Sequence, residues 1–214
     1  KIISQYKKIK LIKALKKHKK RTGAQNQIIG ILKAFEKATG EIICLMDSDD
    51  LFSRNKLNVI NSIFLKNEKF NCVFNFPETK KNLFVFKKKT SQHSIWPSIF
   101  PTSCISMRKS FFLKFIKYLK KYDFSYLEID TRLAIFSKFF FNEYNLIDKK
   151  LTFYSYDDMG ITSKVKKFSK IWWIRRGQAY IYLKYIMHKK KEIFRTSLDY
   201  YITNLLTFFF KIYS

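Results

Sequence analysis

Five apolar residues, Ile42 to Met46, run directly into Asp47-Ser48-Asp49-Asp50, and this junction limits what the chain can become. An unbroken apolar run bounded by Gly40 before and acids after predicts a strand covered on both faces, as in a buried parallel sheet. Before it, Ile28, Ile31, Leu32, Phe35 and Ala38 recur at helical spacing over 27–38, and Thr39-Gly40 supplies a stop. After it, Leu57, Ile60, Ile63 and Phe64 predict a helix from about Arg54, with Ser53 as N-cap. Helix, buried strand and helix in succession predict an α/β layered sheet.

The pattern continues downstream. Residues 70–76 and 83–86 read as strands joined by a turn through Pro77-Glu78. A strand over 104–107 leads into a helix over 109–119, and a further helix is expected over 126–140. Residues 144–147 and 151–156 read as a hairpin or two short strands, and 168–188 and 197–213 as helices. Residues 1–22 are Lys-rich with scattered Ile and Leu, fitting a short strand and helix or the remnant of a longer N-terminal region. The division expected is one α/β domain over 1–163 and a basic, aromatic, helical extension over 164–214.

Composition narrows the partners. The net charge of +27 attracts nucleic acid, anionic lipid or phosphorylated substrates. Only seven of the 43 basic residues are Arg, at 21, 54, 108, 132, 175, 176 and 195, so bidentate readout of bases is disfavoured and nucleic acid is not the expected partner. Lys, Ile, Phe, Tyr and Asn are all encoded by AT-rich codons, a simpler source for much of the lysine. Cys44, Cys72 and Cys104 form no C-x-x-C pair and no zinc spacing, which predicts free thiols and a reducing compartment. No apolar run approaches the ~18 residues that cross a bilayer.

Three carboxylates in four residues repel one another and lose hydration near a sheet edge. A hard divalent cation among them, Mg2+ or Mn2+ shared with phosphate oxygens, resolves that conflict. A calcium loop of the EF-hand type is excluded, because Phe52 and Asn58 stand where its Gly and Glu belong. A haloacid-dehalogenase-like phosphatase is the enzymatic alternative, with Tyr156-Asp157-Asp158 imitating its later acids, although Leu51 departs from its usual Thr or Val. A basic module binding nucleic acid or anionic membrane is the non-enzymatic alternative.

The wider context separates these readings. Gly23-Ala24-Gln25-Asn26-Gln27, then Ala38-Thr39-Gly40-Glu41-Ile42-Ile43, then Met46-Asp47-Ser48-Asp49-Asp50 closely resemble the family 2 glycosyltransferases of GT-A fold, and Lys56-Leu57 continues the likeness. The resemblance implies a GT-A-like (Rossmann-like) mixed sheet flanked by helices, followed by the helical extension. It implies a metal-dependent, inverting transfer of a sugar from a nucleotide-diphosphate donor to a glycan or lipid-linked acceptor, with Mn2+ or Mg2+. By the same likeness Asp49 and Asp47 would hold the metal, and Asp50, Gln25, Asn26, Arg175 and Arg176 would serve the donor. Asp130 in Tyr126-Leu127-Glu128-Ile129-Asp130 would be the base, with Glu128 as near alternative; Trp96 and Trp172 would face the acceptor. Residues 1–22 do not match the nucleotide-binding strands with which relatives begin, so the chain reads as N-terminally truncated. The expected location is cytoplasmic, peripheral on the cytoplasmic membrane face.

Overall fold

The computed structural model describes residues 9–12, 21–79, 96–120, 123–155 and 165–212, with Lys211 and Ile212 described by backbone only. The expected strand over 83–86, the acids Asp157 and Asp158 and most of residues 1–20 lie outside the described residues.

Helix α1 (Gly23–Phe35) starts earlier than its apolar periodicity suggests, because Thr22 and Gln25 form a reciprocal capping box. Strand β1 (Ile42–Cys44) and the two-residue β2 (Leu51–Phe52) flank the acidic turn, and α2 (Lys56–Lys66) follows. The N-cap of α2 is Asn55 rather than Ser53. Then come β3 (Cys72–Thr79), a 3-10 turn (Thr102–Cys104), β4 (Ile105–Arg108) and α3 (Lys109–Tyr118). Helix α4 (Ile129–Ile135) runs into a π-helical turn (Phe136–Phe140), then β5 (Asn145–Tyr154), α5 (Lys170–Lys190) and α6 (Leu198–Ile212).

The strands form one mixed sheet in the order β1-β4-β3-β5-β2, in which only β3 and β5 run parallel. The expected parallel pairing of β1 is therefore corrected: Ile42, Ile43 and Cys44 face Arg108, Met107 and Ser106 of antiparallel β4. An unbroken apolar run reports two covered faces, not strand direction. Ile43 packs on the main core, while Ile42 and Cys44 pack on a second cluster of Ile60, Phe64, Val73 and Leu151.

Two expected turns are irregularities inside strands. Strand β3 continues through Pro77 and Glu78, with register shifts at Asn75/Phe76 and Phe76/Pro77 where the ladder is already interrupted. Strand β5 is continuous through the exposed Asp148-Lys149-Lys150, which the shifted register skips in part: Asn75 faces Ile147, but Phe76 faces Lys150. What looked like a hairpin break is a bulge.

Helix α5 belongs to the main core, contributing Ala179, Tyr182, Leu183 and Ile186 beside Phe111, Phe115, Leu133 and Phe136. The link between α3 and α4 is held by Arg132, a fully buried side chain. Its guanidinium donates to five carbonyls: Leu127 at 3.0 Å, Leu119 at 2.6 Å, Lys120 at 2.9 Å, Asp123 at 3.0 Å and Phe124 at 2.9 Å. Lys120 and Phe124 take left-handed backbone, φ 53° and 58°, which non-glycine residues adopt at a cost of roughly 1 kcal/mol each. Burial lowers the pKa of Arg132 to about 10, with Tyr182, Asp123 and Glu128 opposing the shift.

Replacing Arg132 by Met keeps the apolar stem and strands these carbonyls. The expected loss is about 3 kcal/mol, a fall in Tm on the order of 10 °C by circular dichroism. Arg132→Lys recovers only part of it, since one ammonium cannot reach five acceptors.

Candidate active site

The acidic turn sits where β1 leaves the sheet. Leu45 N–H donates to Ile105 O at 3.1 Å and Asp47 N–H donates to Ser103 Oγ at 2.8 Å, so the 3-10 turn fixes the start of the acid run. Gln27 Nε2 on α1 donates to Asp47 Oδ1 at 3.0 Å and to Thr102 Oγ1 at 3.2 Å. Asp50 is turned inward and buried, its Oδ1 accepting from Ser155 N–H at 2.9 Å at the end of β5. Asp49 is exposed.

Below the turn lies Lys56, fully buried at the start of α2. Its ammonium donates to Ser103 O and, at 2.9 Å, to Thr152 Oγ1 of β5, and stands 3.9 Å from the centre of the Phe52 ring. Burial lowers its pKa to about 8, with Cys104, Cys44 and Asp50 opposing the shift.

A second acidic group faces the first from the start of α4. Glu128 is buried and pairs with Arg175 of α5, Oε2 to Nε 2.8 Å. Asp130 is half-buried, and its Oδ1 accepts from the N–H and, at 3.2 Å, the hydroxyl of Thr131. The segment before them is pinned by Thr22 Oγ1 donating to Ser125 O and by Tyr126 N–H donating to Gln178 Oε1 at 2.8 Å.

The electrostatics join the two groups. Burial pushes Asp47 up to about 6; Gln27 offsets part of this, and the charges of Asp130, Asp50 and Asp49 add to it. Burial also raises Asp50 and Asp130. Glu128 is pushed up to about 7 by burial, with Arg175 pulling it back and Asp130 adding to it. Tyr154, half-buried at the end of β5, is pushed up to about 12 by burial and then by Asp50, Asp49, Asp130 and Asp47 together. One phenol thus senses four carboxylates from two distant stretches of sequence.

Beside Glu128 opens a cleft of about 330 Å³ lined by Trp96, Leu127, Thr131, Trp172, Arg175 and Arg176, with Ile99 and Ala179. Trp96 meets Tyr180 edge-on at 4.6 Å. Arg176 pairs with Asp199 of α6 and lies 5.4 Å from the Trp172 ring centre.

The structure therefore gathers Asp47, Asp49, Asp50, Glu128 and Asp130 into one region and sets Arg175, Trp96 and Trp172 along its neighbouring cleft. Gln25 closes the cap of α1, while Asn26 is half-buried one residue on. Gln27, Ser103 and Tyr154 were not singled out from sequence, and Lys56 entered only as part of the family likeness. Gln27 follows Gln25 and Asn26 in the same helix, and only the start of α1 decides which of the three meets Asp47. Among the described residues no three His, Cys, Asp or Glu are arranged to hold a metal ion. With Asp50 turned inward, Asp47 and Asp49 remain, a donor pair that suits a hard cation sharing its other positions with water and phosphate. All three cysteines are free; burial pushes Cys104 up to about 12, leaving no reactive thiolate there.

Because burial raises Asp47 above its ordinary value, its ionisation opposes folding, and that penalty is fully present above about pH 6. Asp47→Asn keeps an acceptor for Gln27 and removes the charge. The variant should be more stable at pH 7.5 by roughly 1 kcal/mol, a few °C in Tm. The gain should shrink as pH falls through 6, read from thermal melts across that range.

The family model described as Glycosyl transferase family 2 matches residues 1–164. No curated protein matches the sequence. Among solved structures, S. aureus TarS 1–349 in complex with UDP-GlcNAc is similar, with a TM-score of 0.49 and 11% identity over 92% of this chain and 54% of that one. The present chain thus spans about half the length of that protein. The match over 1–164 takes in both acidic groups and sets aside the phosphatase reading: the chain belongs to glycosyltransferase family 2.

Proposed function

We propose that this chain transfers a sugar from a nucleotide-diphosphate donor to a hydroxyl of a glycan or lipid-linked acceptor, with a divalent cation and with inversion. The observation that carries the proposal is the convergence of Asp47, Asp49 and Asp50 with Asp130 around Tyr154, in a chain of this family.

Asp47 and Asp49 would hold Mn2+ or Mg2+ against the donor diphosphate. The cation, when bound, neutralises charge building on the departing nucleoside diphosphate. Gln27 and Ser103 fix Asp47 from its side chain and its backbone, and Asp50 anchors the turn to β5. The acceptor hydroxyl loses a proton as it attacks, so a carboxylate must stand free beside it. Glu128 is ion-paired with Arg175, whereas Asp130 is held by hydrogen bonds from Thr131 to its Oδ1. Asp130 is therefore the base, and Glu128 positions Arg175 along the cleft. The aromatic lining that Trp96 and Trp172 give the cleft supports an acceptor sugar there.

The test is calorimetry of UDP and GDP binding to the full chain with and without Mn2+. One nucleotide should bind with Mn2+ and lose at least tenfold affinity in Asp49→Asn. Binding that ignores both Mn2+ and this substitution would remove the acid pair from the donor site. Asp130→Asn should leave nucleotide binding within about twofold while slowing nucleoside-diphosphate release from the matching sugar nucleotide by 10²–10⁴. In the unsubstituted chain binding should weaken as pH falls through about 6, where Asp47 takes up a proton.

A further inference from the structure

Helix α6 is built inside out for a helix lying on a water-soluble protein. Its side packed on α5 carries the polar groups. Asp199 pairs with Arg176 and accepts from the Tyr180 hydroxyl, and Thr203 Oγ1 accepts from Arg176 Nε at 3.3 Å. Thr207 Oγ1 donates to Trp173 O at 3.1 Å. The two helices approach closely at Gly177, where an added Cβ would stand 2.6 Å from Thr207 Oγ1. The opposite side carries Leu198, Tyr201, Ile202, Leu205, Phe208 and Phe209, all exposed, Leu205 at 57% and Phe208 at 60%. At 100° per residue these six fall within one sector of about 120°, with no charged residue among them. Single exposed apolar residues are ordinary, but a contiguous stripe along a whole helix marks a surface that something covers.

Charge selects what covers it. From residue 165 to 212 eleven Lys and Arg are opposed only by Glu192 and Asp199. Lys166, Lys167, Lys170, Lys184, Lys189, Lys191 and Arg195 are exposed on α5 and the segments that flank it. The contacts of Asp199, Thr203 and Thr207 with Tyr180, Arg176 and Trp173 run α6 antiparallel to α5. That register sets Phe208 and Phe209 level with the first turns of α5, the end of the helix pair at which Phe168 and Ile171 are also exposed. A second copy of the chain would bring the same excess of positive charge against itself. Anionic headgroups would be attracted by it. With 15 residues α6 is about 22 Å long, short of the ~30 Å hydrocarbon layer, and no described helix is long and apolar enough to cross a membrane.

We propose that α6 lies in the plane of an anionic lipid surface, with the Leu198–Phe209 stripe sunk among the headgroups and the lysines of α5 and its flanks beside it. This rests on α6 and its surroundings and not on sugar transfer, so either proposal can fail alone.

The experiment is co-sedimentation of the full chain with phosphatidylcholine vesicles, with and without about 30% phosphatidylglycerol, beside sedimentation velocity without lipid. The expected result is binding to the anionic vesicles by a monomer, weakened at least tenfold in Leu205→Glu/Phe209→Glu. Both positions face outward, so that variant should keep its circular dichroism and Tm. Three results would each overturn the proposal. One is no binding to anionic vesicles. Another is binding that the double variant leaves intact, which is mere adsorption of a basic chain. The third is a lipid-free dimer that the same substitutions dissociate, which assigns the stripe to a second copy.

Discussion

The Lys56 ammonium has no access to solvent, and three chain segments meet on it. It donates to Ser103 O and Thr152 Oγ1, while the Ser103 hydroxyl receives the Asp47 amide. One buried cation thus joins the start of α2, the turn before β4, the last residues of β5 and the acidic turn. An unpaired buried ammonium would be costly. Here it has two hydrogen bonds, an aromatic face and the field of Asp50 to oppose the pull of burial on its pKa. Loss of this knot would free the acid turn from both neighbouring strands.

The other half of the site depends on Arg132 in the same manner. Its five bonds close a loop whose left-handed residues would not hold that shape unaided, and the loop delivers Glu128 and Asp130 to the start of α4. The two buried cations leave the acids between them short of compensation. Asp47, Asp50, Glu128 and Asp130 are all raised by burial, so the ligand-free site sits closer to neutrality than its composition implies. Stability has been given up where carboxylates are needed, a common trade at functional sites.

The elements that carry long-range order were legible in the sequence to different degrees. The helix, apolar run, acids and helix between residues 23 and 66 could be read because burial periodicity is written in consecutive residues. The direction of β1 could not, since Ile42–Cys44 is covered on both faces by residues far along the chain. Pro77 and Asp148–Lys150 read as turns because bulges use the same residue types as turns; only the β3–β5 register tells them apart. Asp47, Asp49 and Asp50 stood out by their density. Glu128 and Asp130 were reached only through the family likeness, as two acids at a helix start are usually helix-dipole partners. The role of Arg132 was not legible because its five carbonyls are gathered only when the nearby loop over 119–127 folds round it, and that of Lys56 because Ser103 and Thr152 lie far along the chain.

The +27 charge and the acidic turn act over different distances. A basic surface draws in anions from beyond contact, with a reach set by the Debye length of roughly 8–10 Å. At contact, a diphosphate arriving beside Asp47 and Asp49 meets carboxylates of its own sign. On the proposed function the two effects are reconciled only when a cation occupies that pair. Attraction by the lysines is then indifferent to which anion arrives, while retention depends on the anion's ability to share a metal. A lysine-rich surface of this kind raises the rate of encounter with many anions, and the selectivity falls to Asp49 and to Asp47, which Gln27 and Ser103, backed by Lys56, hold in place.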